Sequence, residues 1–169
     1  IRYGLTDRIE VNAEFSPISA WDNSVTPHTS FTGVEPVSVG FNYQLLTESA
    51  RQPSIVVSAQ LAIPYFATTH FTADRYAPMV ELITNLPIHK HHVIGLSAGL
   101  FWDGFSANPN FIYNANYTCH VTGKWDLGGE VFGFVNGGPS QHNFDVSAAY
   151  NFTPAIQLGA TAGVGLTPA

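Results

Sequence analysis

The C-terminal stretch Gln141–Leu166 reads QHNFDVSAAYNFTPAIQLGATAGVGL and alternates apolar with polar residues on both sides of a Thr153-Pro154 break. Alternation with a period of two predicts two antiparallel strands joined by a tight turn. The apolar face carries Phe144, Val146, Ala148, Tyr150 and Phe152 before the break, and Ile156, Leu158, Ala160, Ala162, Val164 and Leu166 after it. The opposite face holds Ser, Asn, Gln, Thr and Gly together with one acid, Asp145.

A strand face in contact with bulk water normally carries many charges, and this one is almost uncharged. An apolar face opposite a weakly polar face is typical of an outer-membrane strand, which crosses the bilayer with about 9–11 residues. The whole chain agrees, because only 11% of its residues are charged, against about 25% in soluble domains. No apolar run reaches the ~18 residues of a membrane-spanning helix, so a membrane interpretation requires a closed barrel.

Charge and cysteine content exclude two other classes of protein. The net charge of −6 argues against a nucleic acid partner, since such proteins carry basic surfaces. Cys119 is the one cysteine, so the chain cannot contain an internal disulfide framework. The strand pattern continues through all 169 residues, which predicts a single domain over 1–169.

The connections between the ten predicted strands alternate in length. Short turns are predicted at 6–8, 48–53, 89–92, 123–126 and 153–155, and longer loops at 17–36, 67–78, 103–110 and 136–142. In bacterial barrels short turns lie at the periplasmic end and long loops at the extracellular end. The predicted fold class is therefore all-β, an antiparallel up-and-down transmembrane β-barrel in the bacterial outer membrane.

Three segments resemble a known family: RYGLTDRIEV at 2–11, LGGEVFGF at 127–134 and YNFTPAIQLGATAGVGL at 150–166. They are similar to elements that occur in the same order in the outer-membrane barrel family of meta-pathway phenol-degradation or "transporter" proteins. The resemblance implies a barrel of about twelve strands that passes small molecules, including apolar or aromatic ones. It implies no catalytic residues and no cofactor.

The strand directions make an independent prediction about the ends of the chain. The first predicted strand runs toward the short-turn side and the last runs away from it, so both termini fall on the long-loop side. Bacterial barrels normally end on the other side. We therefore expect the single domain to lack a strand at each end. A closed barrel of ten strands with unusual termini is the alternative.

Charged side chains on the inward face are the candidate functional residues. By alternation this set comprises Arg2, Glu10, Glu14, Glu81, His120, Glu130 and Asp145. In a lumen they would form either a selectivity constriction or proton relay, or a structural network of paired charges. Both uses require the same residue types, so the sequence leaves the two open.

The run His89-Lys90-His91-His92 is the weak candidate for a metal site. Imidazole is the commonest transition-metal ligand, but adjacent residues of a strand point to opposite faces. A solvated turn is the favoured interpretation, and no metal is predicted. No nucleophile and base, or pair of carboxylates, has the spacing of a catalytic site, so the chain is not predicted to be an enzyme.

Two alternatives to a channel remain open at this point. A soluble lipocalin-like barrel would place the same apolar face inward around a ligand, and a barrel with a small lumen would serve as an accessory subunit of an outer-membrane assembly. The predicted partners are membrane lipid, small-molecule solutes and other outer-membrane subunits. An aromatic girdle at the strand ends is also expected in lipid, from Trp21, Tyr65, Trp102, Phe111, Tyr113, Trp125, Tyr150 and Phe152.

Overall fold

A computed structural model describes residues 1–16, 19–23, 29–49, 52–138, 140–153 and 156–167. Within them the regular secondary structure is β-strand, apart from one turn of 3-10 helix at Pro64–Phe66. The strands are β1 (Arg2–Gly4), β2 (Ile9–Glu14), β3 (Ser19–Asn23), β4 (Thr29–Gly33), β5 (Val37–Leu46), β6 (Ser54–Ile63), β7 (Ala77–His89), β8 (His92–Phe101), β9 (Asn110–His120), β10 (Trp125–Val135), β11 (Gln141–Thr153) and β12 (Ile156–Gly165). No helix of the described residues is long and apolar enough to cross a membrane.

Ten of these strands form one sheet in the order β1-β2-β5-β6-β7-β8-β9-β10-β11-β12. Neighbours in the sheet are therefore consecutive in the chain, apart from the step over β3 and β4, which is the predicted up-and-down arrangement. β1 and β12 are the two edges of the described sheet, and β12 is exposed along its whole length. The expectation of a further strand at each end stays a prediction.

The long connection predicted over 17–36 contains two strands that the sequence pattern did not predict. β3 and β4 pair within this segment as a separate two-stranded sheet, from Ser19↔Gly33 to Asn23↔Thr29. Both strands are short and mostly polar, so they show little apolar alternation for a sequence pattern to detect. Their backbone hydrogen bonds are satisfied by each other.

Thr6 forms the tight turn between β1 and β2 as its sequence position predicts. Its Oγ1 atom accepts hydrogen bonds from the backbone N–H groups of Arg8 at 3.2 Å and Ile9 at 3.0 Å. The backbone N–H of Leu5 donates to the carbonyl of Ile9 at 2.8 Å. The turn at 154–155 lies outside the described residues.

β10 begins earlier than predicted, at Trp125 rather than after the expected 123–126 turn. Its first residues pair on both sides, Asp126 with His120 on β9 and with Ala149 on β11. Pairing with two neighbouring strands extends β10 toward its N-terminal end, beyond the start that its own glycine-rich sequence predicts. The consequence is that Asp126 is a strand residue with a defined face.

The described residues divide into two compact units. The first comprises Ile1–Tyr43, Ser58–Val80 and Phe101–Pro109, and the second Gln44–Val57, Glu81–Leu100 and Asn110–Ala169. In the first unit the long-loop segments pack on one another: the backbone N–H of Thr68 donates to the carbonyl of Val34 at 3.0 Å, and Phe31 stacks on His70 at 4.0 Å. In the second unit β9 to β12 form a continuous four-stranded part of the sheet.

Candidate functional site: the polar face of the sheet

The apolar side chains of the strands are exposed and several polar ones are buried, the reverse of a soluble protein. Among the described residues no hydrophobic side chain is buried, whereas Asn12 is 8% exposed and Ser58 is 5% exposed. By contrast Val146 is 49% exposed and Leu96 is 48% exposed, although both lie on strands inside the sheet. A soluble lipocalin-like barrel needs an enclosed apolar interior, so this distribution favours the membrane interpretation, with the apolar face turned toward lipid.

In the first unit the strand register places three predicted residues on one face. Arg2 lies opposite Asn12, Glu10 opposite Asn42 and Glu14 opposite Ser38. Because side chains two residues apart share a face, Arg2, Glu10 and Glu14 line the same side of β1 and β2. The Nδ2 group of Asn42 donates a hydrogen bond of 3.0 Å to Glu10 Oε1, so one of these carboxylates is held by its cross-strand neighbour.

In the second unit the register brings together Glu130 and Asp145. Glu130 on β10 lies opposite Asn116 on β9 and opposite Asp145 on β11. Both carboxylates are half-buried, while the intervening Val131 and Phe144 are exposed on the other face. Neither carboxylate has an ion-pair partner among the described residues. The two acids are therefore neighbours on the polar face. Alternation in the sequence predicts that they share this face, but it does not predict that they lie opposite each other.

Glu81 follows the same pattern on β7. It is half-buried, and its chain neighbours Val80 and Leu82 are 49% and 50% exposed. Glu81 therefore alternates with the exposed apolar side chains as predicted, within the part of β7 that belongs to the second unit.

His120 takes part in a polar network that the sequence did not indicate. Its Nδ1 atom lies 2.5 Å from Asp126 Oδ1. The other carboxylate oxygen, Oδ2, accepts hydrogen bonds from the amide groups of Asn151 at 3.0 Å and Gln157 at 3.3 Å. Gln157 also donates to Asn151 Oδ1 at 2.9 Å. These side chains connect the short-turn ends of β9 to β12. Asp126 and Asn151 were missed because Asp126 was assigned to a turn.

His89 and His91 are not brought together as metal ligands. The ring of His89 lies 5.6 Å from that of His92, and His92 Nδ1 is 2.5 Å from the hydroxyl of Tyr117. The carbonyl of His91 accepts a hydrogen bond of 2.8 Å from the backbone N–H of His120. Within the described ranges no group of three or more His, Cys, Asp and Glu side chains could hold a metal ion.

Aromatic rings on the apolar face form two clusters in the second unit. At the short-turn end Tyr150 packs on Trp125 at 4.9 Å and on Phe152 at 4.8 Å. At the long-loop end Tyr113 packs on Phe111 at 6.4 Å and bonds His142. His142 and Tyr150 are eight residues apart on β11, about 26 Å along a strand. At the usual strand tilt of about 35–45°, this corresponds to about 20 Å along a barrel axis, somewhat less than the ~25 Å apolar band of an outer-membrane barrel.

The remaining predicted girdle residues are not in these clusters. Trp102 lies in the loop after β8 and donates its indole N–H to the carbonyl of Ala107 at 3.1 Å. Tyr65 lies in the 3-10 turn and packs edge-on against Tyr76 at 5.7 Å. The side chain of Trp21 lies outside the described residues.

Two aromatic residues also lie on the polar face, although most other residues of this face are polar or small. Phe132 and Phe134 follow Glu130 at two-residue steps on β10, so they share its face, and their rings meet edge-on at 6.5 Å. Ile112 on β9 lies directly opposite Phe134. Phe132, Phe134 and Ile112 therefore form an apolar group among polar neighbours toward the long-loop end of this face, and the carboxylates lie farther along it.

Comparisons with known proteins agree with this arrangement. Residues 2–169 match the model of the family described as "Putative MetA-pathway of phenol degradation". Among solved structures, the chain is similar to an outer membrane channel from Pseudomonas putida F1, with a TM-score of 0.73 and 15% sequence identity over 98% of this chain and 73% of that one. A comparison with curated proteins finds no match. The chain thus belongs to the family described as "Putative MetA-pathway of phenol degradation", and it is an outer-membrane protein with an antiparallel β-barrel fold.

Proposed function

We propose that the protein is a channel for small solutes and that the polar face of its sheet lines the path they take. The observation that carries the proposal is the inverted distribution of side chains: the apolar face is exposed, and the carboxylates of Glu81, Glu130 and Asp145 are half-buried on the other side. A water-filled lumen surrounded by lipid requires this distribution. Similarity to a channel of the same fold supports the role.

The charges on the polar face favour cations and neutral solutes over anions. Its acids are Glu10, Glu14, Glu81, Asp126, Glu130 and Asp145, and its bases are Arg2 and the half-exposed His120. An excess of negative charge in a confined path raises the local concentration of cations and repels anions. The side chains of Asn114, Asn116, Ser147 and Thr161 add uncharged hydrogen-bonding groups beside the acids.

The aromatic pair supports a solute class that includes aromatic compounds. Phe132 and Phe134 present ring edges and faces on the solute side, between the long-loop end and Glu130. An aromatic solute gains contact with such rings, and an aromatic cation gains a further cation–π interaction. The family description names phenol degradation, which agrees with passage of aromatic molecules.

Conductance of the refolded full chain in a planar bilayer tests the proposal. We expect channel currents in potassium chloride and a reversal potential of the cation-selective sign in a salt gradient. Heat-modifiable migration on a gel shows that the chain is folded before it is tested. A folded chain that conducts no ions and passes no solute into vesicles would instead support the accessory-subunit interpretation.

A further inference from the structure

One row of residues crosses the polar face of the second unit through the two acids. The register pairs Asn116 with Glu130, Glu130 with Asp145, and Asp145 with Gly163. The backbone N–H of His120 donates to the carbonyl of His91. His120 and His91 are therefore opposite each other. Four residues farther along the two strands, Asn116 on β9 lies opposite Gly95 on β8. The row therefore begins and ends with a glycine.

The two carboxylates in this row occupy an unfavourable position. Side chains directly opposite one another on antiparallel strands have Cβ atoms about 4.5–5.5 Å apart, and like charges there destabilise the pair. Glu130 and Asp145 have this relationship. The repulsion between the two carboxylates is therefore reduced only if they point away from each other.

The separation comes from the direction in which Asp145 leans. Its carboxylate lies over Gly163 on β12, where a Cβ atom would overlap Oδ1 and lie 2.6 Å from Cγ. On the other side of Glu130, the amide of Asn116 lies over Gly95, where a Cβ would be 2.6 Å from both Oδ1 and Nδ2. Both neighbours of Glu130 therefore lean away from it, into space that a glycine leaves free.

We infer that Gly163 is a selectivity-positioning residue: by lacking a Cβ it lets the Asp145 carboxylate lie over β12, apart from Glu130. The inference rests on the proposed channel function. Any side chain at 163 removes this space, and the carbonyl oxygen of Phe144, 3.0 Å from the same Cβ position, limits a shift of the added group. The Asp145 carboxylate must then turn toward Glu130 or away from the sheet into the solute path. Either movement concentrates negative charge in the path.

Gly159 provides the matched control. It lies four residues from Gly163 on the same strand and the same face, opposite Ala149. A Cβ at this position would meet Ala148 O and Ala149 Cβ at 3.6 Å, which is ordinary contact. Gly159→Ala therefore adds the same methyl group to the same face and displaces no charged side chain.

The first experiment measures reversal potentials of the refolded full chain in a potassium chloride gradient. Gly163→Ala should raise the ratio of cation to anion permeability about twofold, because a carboxylate moves into the path, and Gly159→Ala should leave it unchanged. In an Asp145→Asn background, Gly163→Ala should have no effect on the ratio. An unchanged ratio in Gly163→Ala, or a shift that persists without the Asp145 charge, overturns the inference.

A second experiment does not depend on conductance or on folding of the Gly163 variant. In the wild-type background, Glu130→Gln and Asp145→Asn should act nearly additively on the free energy of unfolding in vesicles, because carboxylates that are held apart couple only weakly. Strong non-additivity would show that the two charges are close and would overturn the positioning role. A folded wild-type chain without current would refute the channel proposal, and this cycle would still decide whether the Asp145 carboxylate is held apart from Glu130.

Discussion

Glu130 and Asp145 lie directly opposite each other on β10 and β11, on the same polar face, with the Asp145 carboxylate turned away over β12. They are two half-buried acids in one row of this face of the second unit. In the proposed channel, their position in mid-strand places them along the solute path.

Neutralising both acids should reduce cation preference without unfolding the protein. We expect Glu130→Gln combined with Asp145→Asn to lower the cation-to-anion permeability ratio about two- to threefold at 0.1 M salt, where charges act over about 10 Å. The measurement is the reversal potential in a salt gradient. Glu48→Gln, an exposed turn residue, is the control. An unchanged cation-to-anion permeability ratio in the double variant would contradict the placement of these acids on the solute path.

The apolar face should tolerate charge poorly in the middle of the sheet. Val146 pairs with Gly129 and Ala162 between the two aromatic clusters, so Val146→Arg should destabilise the inserted barrel by about 2–4 kcal/mol. Leu158 lies opposite Tyr150 at the short-turn cluster, so Leu158→Arg should cost only about 0–1 kcal/mol. Reversible urea unfolding in vesicles measures both. Ser147→Arg, on the opposite face, is the control, and a cost equal to that of Val146→Arg would refute the assignment of faces.

The aromatic pair should favour aromatic solutes. Replacing Phe132 and Phe134 together by alanine should lower the permeability of benzyltrimethylammonium relative to tetramethylammonium by about two- to fivefold, the equivalent of one cation–π contact. Bi-ionic reversal potentials give this ratio. Val131→Ala removes an apolar side chain from the other face of the same strand and should have no effect. Equal permeability changes for both cations would indicate a general effect on pore size instead.

The loop after β8 should loosen at low pH. Hydrogen bonds from the backbone N–H groups of Ser106 and Phe105 hold the pKa of Asp103 below its usual range. Because the pKa of Asp103 is lower in the folded loop, its ionised carboxylate stabilises the loop at pH values above the ordinary pKa of an aspartate. This stabilisation is lost as the pH falls through the folded-state pKa. We expect amide exchange at Phe105 and Ser106 to accelerate over that range, relative to Asp103→Ala at each pH. Identical pH profiles in the two proteins would contradict this role.

Strand alternation and charge content were sufficient to predict the sheet, its ten strands and the exposure of the apolar face. Each strand of a membrane sheet has one face toward lipid and one away from it, so its residues alternate between apolar and polar with a period of two. The alternation of short and long connections was recognisable for the same reason. β3 and β4 were missed, since each is only five residues long and mostly polar, and the two strands pair with each other rather than with the main sheet.

Alternation also assigned Arg2, Glu10, Glu14, Glu81, His120, Glu130 and Asp145 to one face, but it says nothing about which residues meet across strands. Pairing register decided that Glu130 lies opposite Asp145 and that His120 lies opposite Asp126. Register also placed Phe132 and Phe134 among polar residues. The space beside Gly163 depends on atoms from two strands, so it exists only once β11 and β12 are paired. A sequence records the face of each side chain, whereas the distance between two side chains on different strands is set by the tertiary structure.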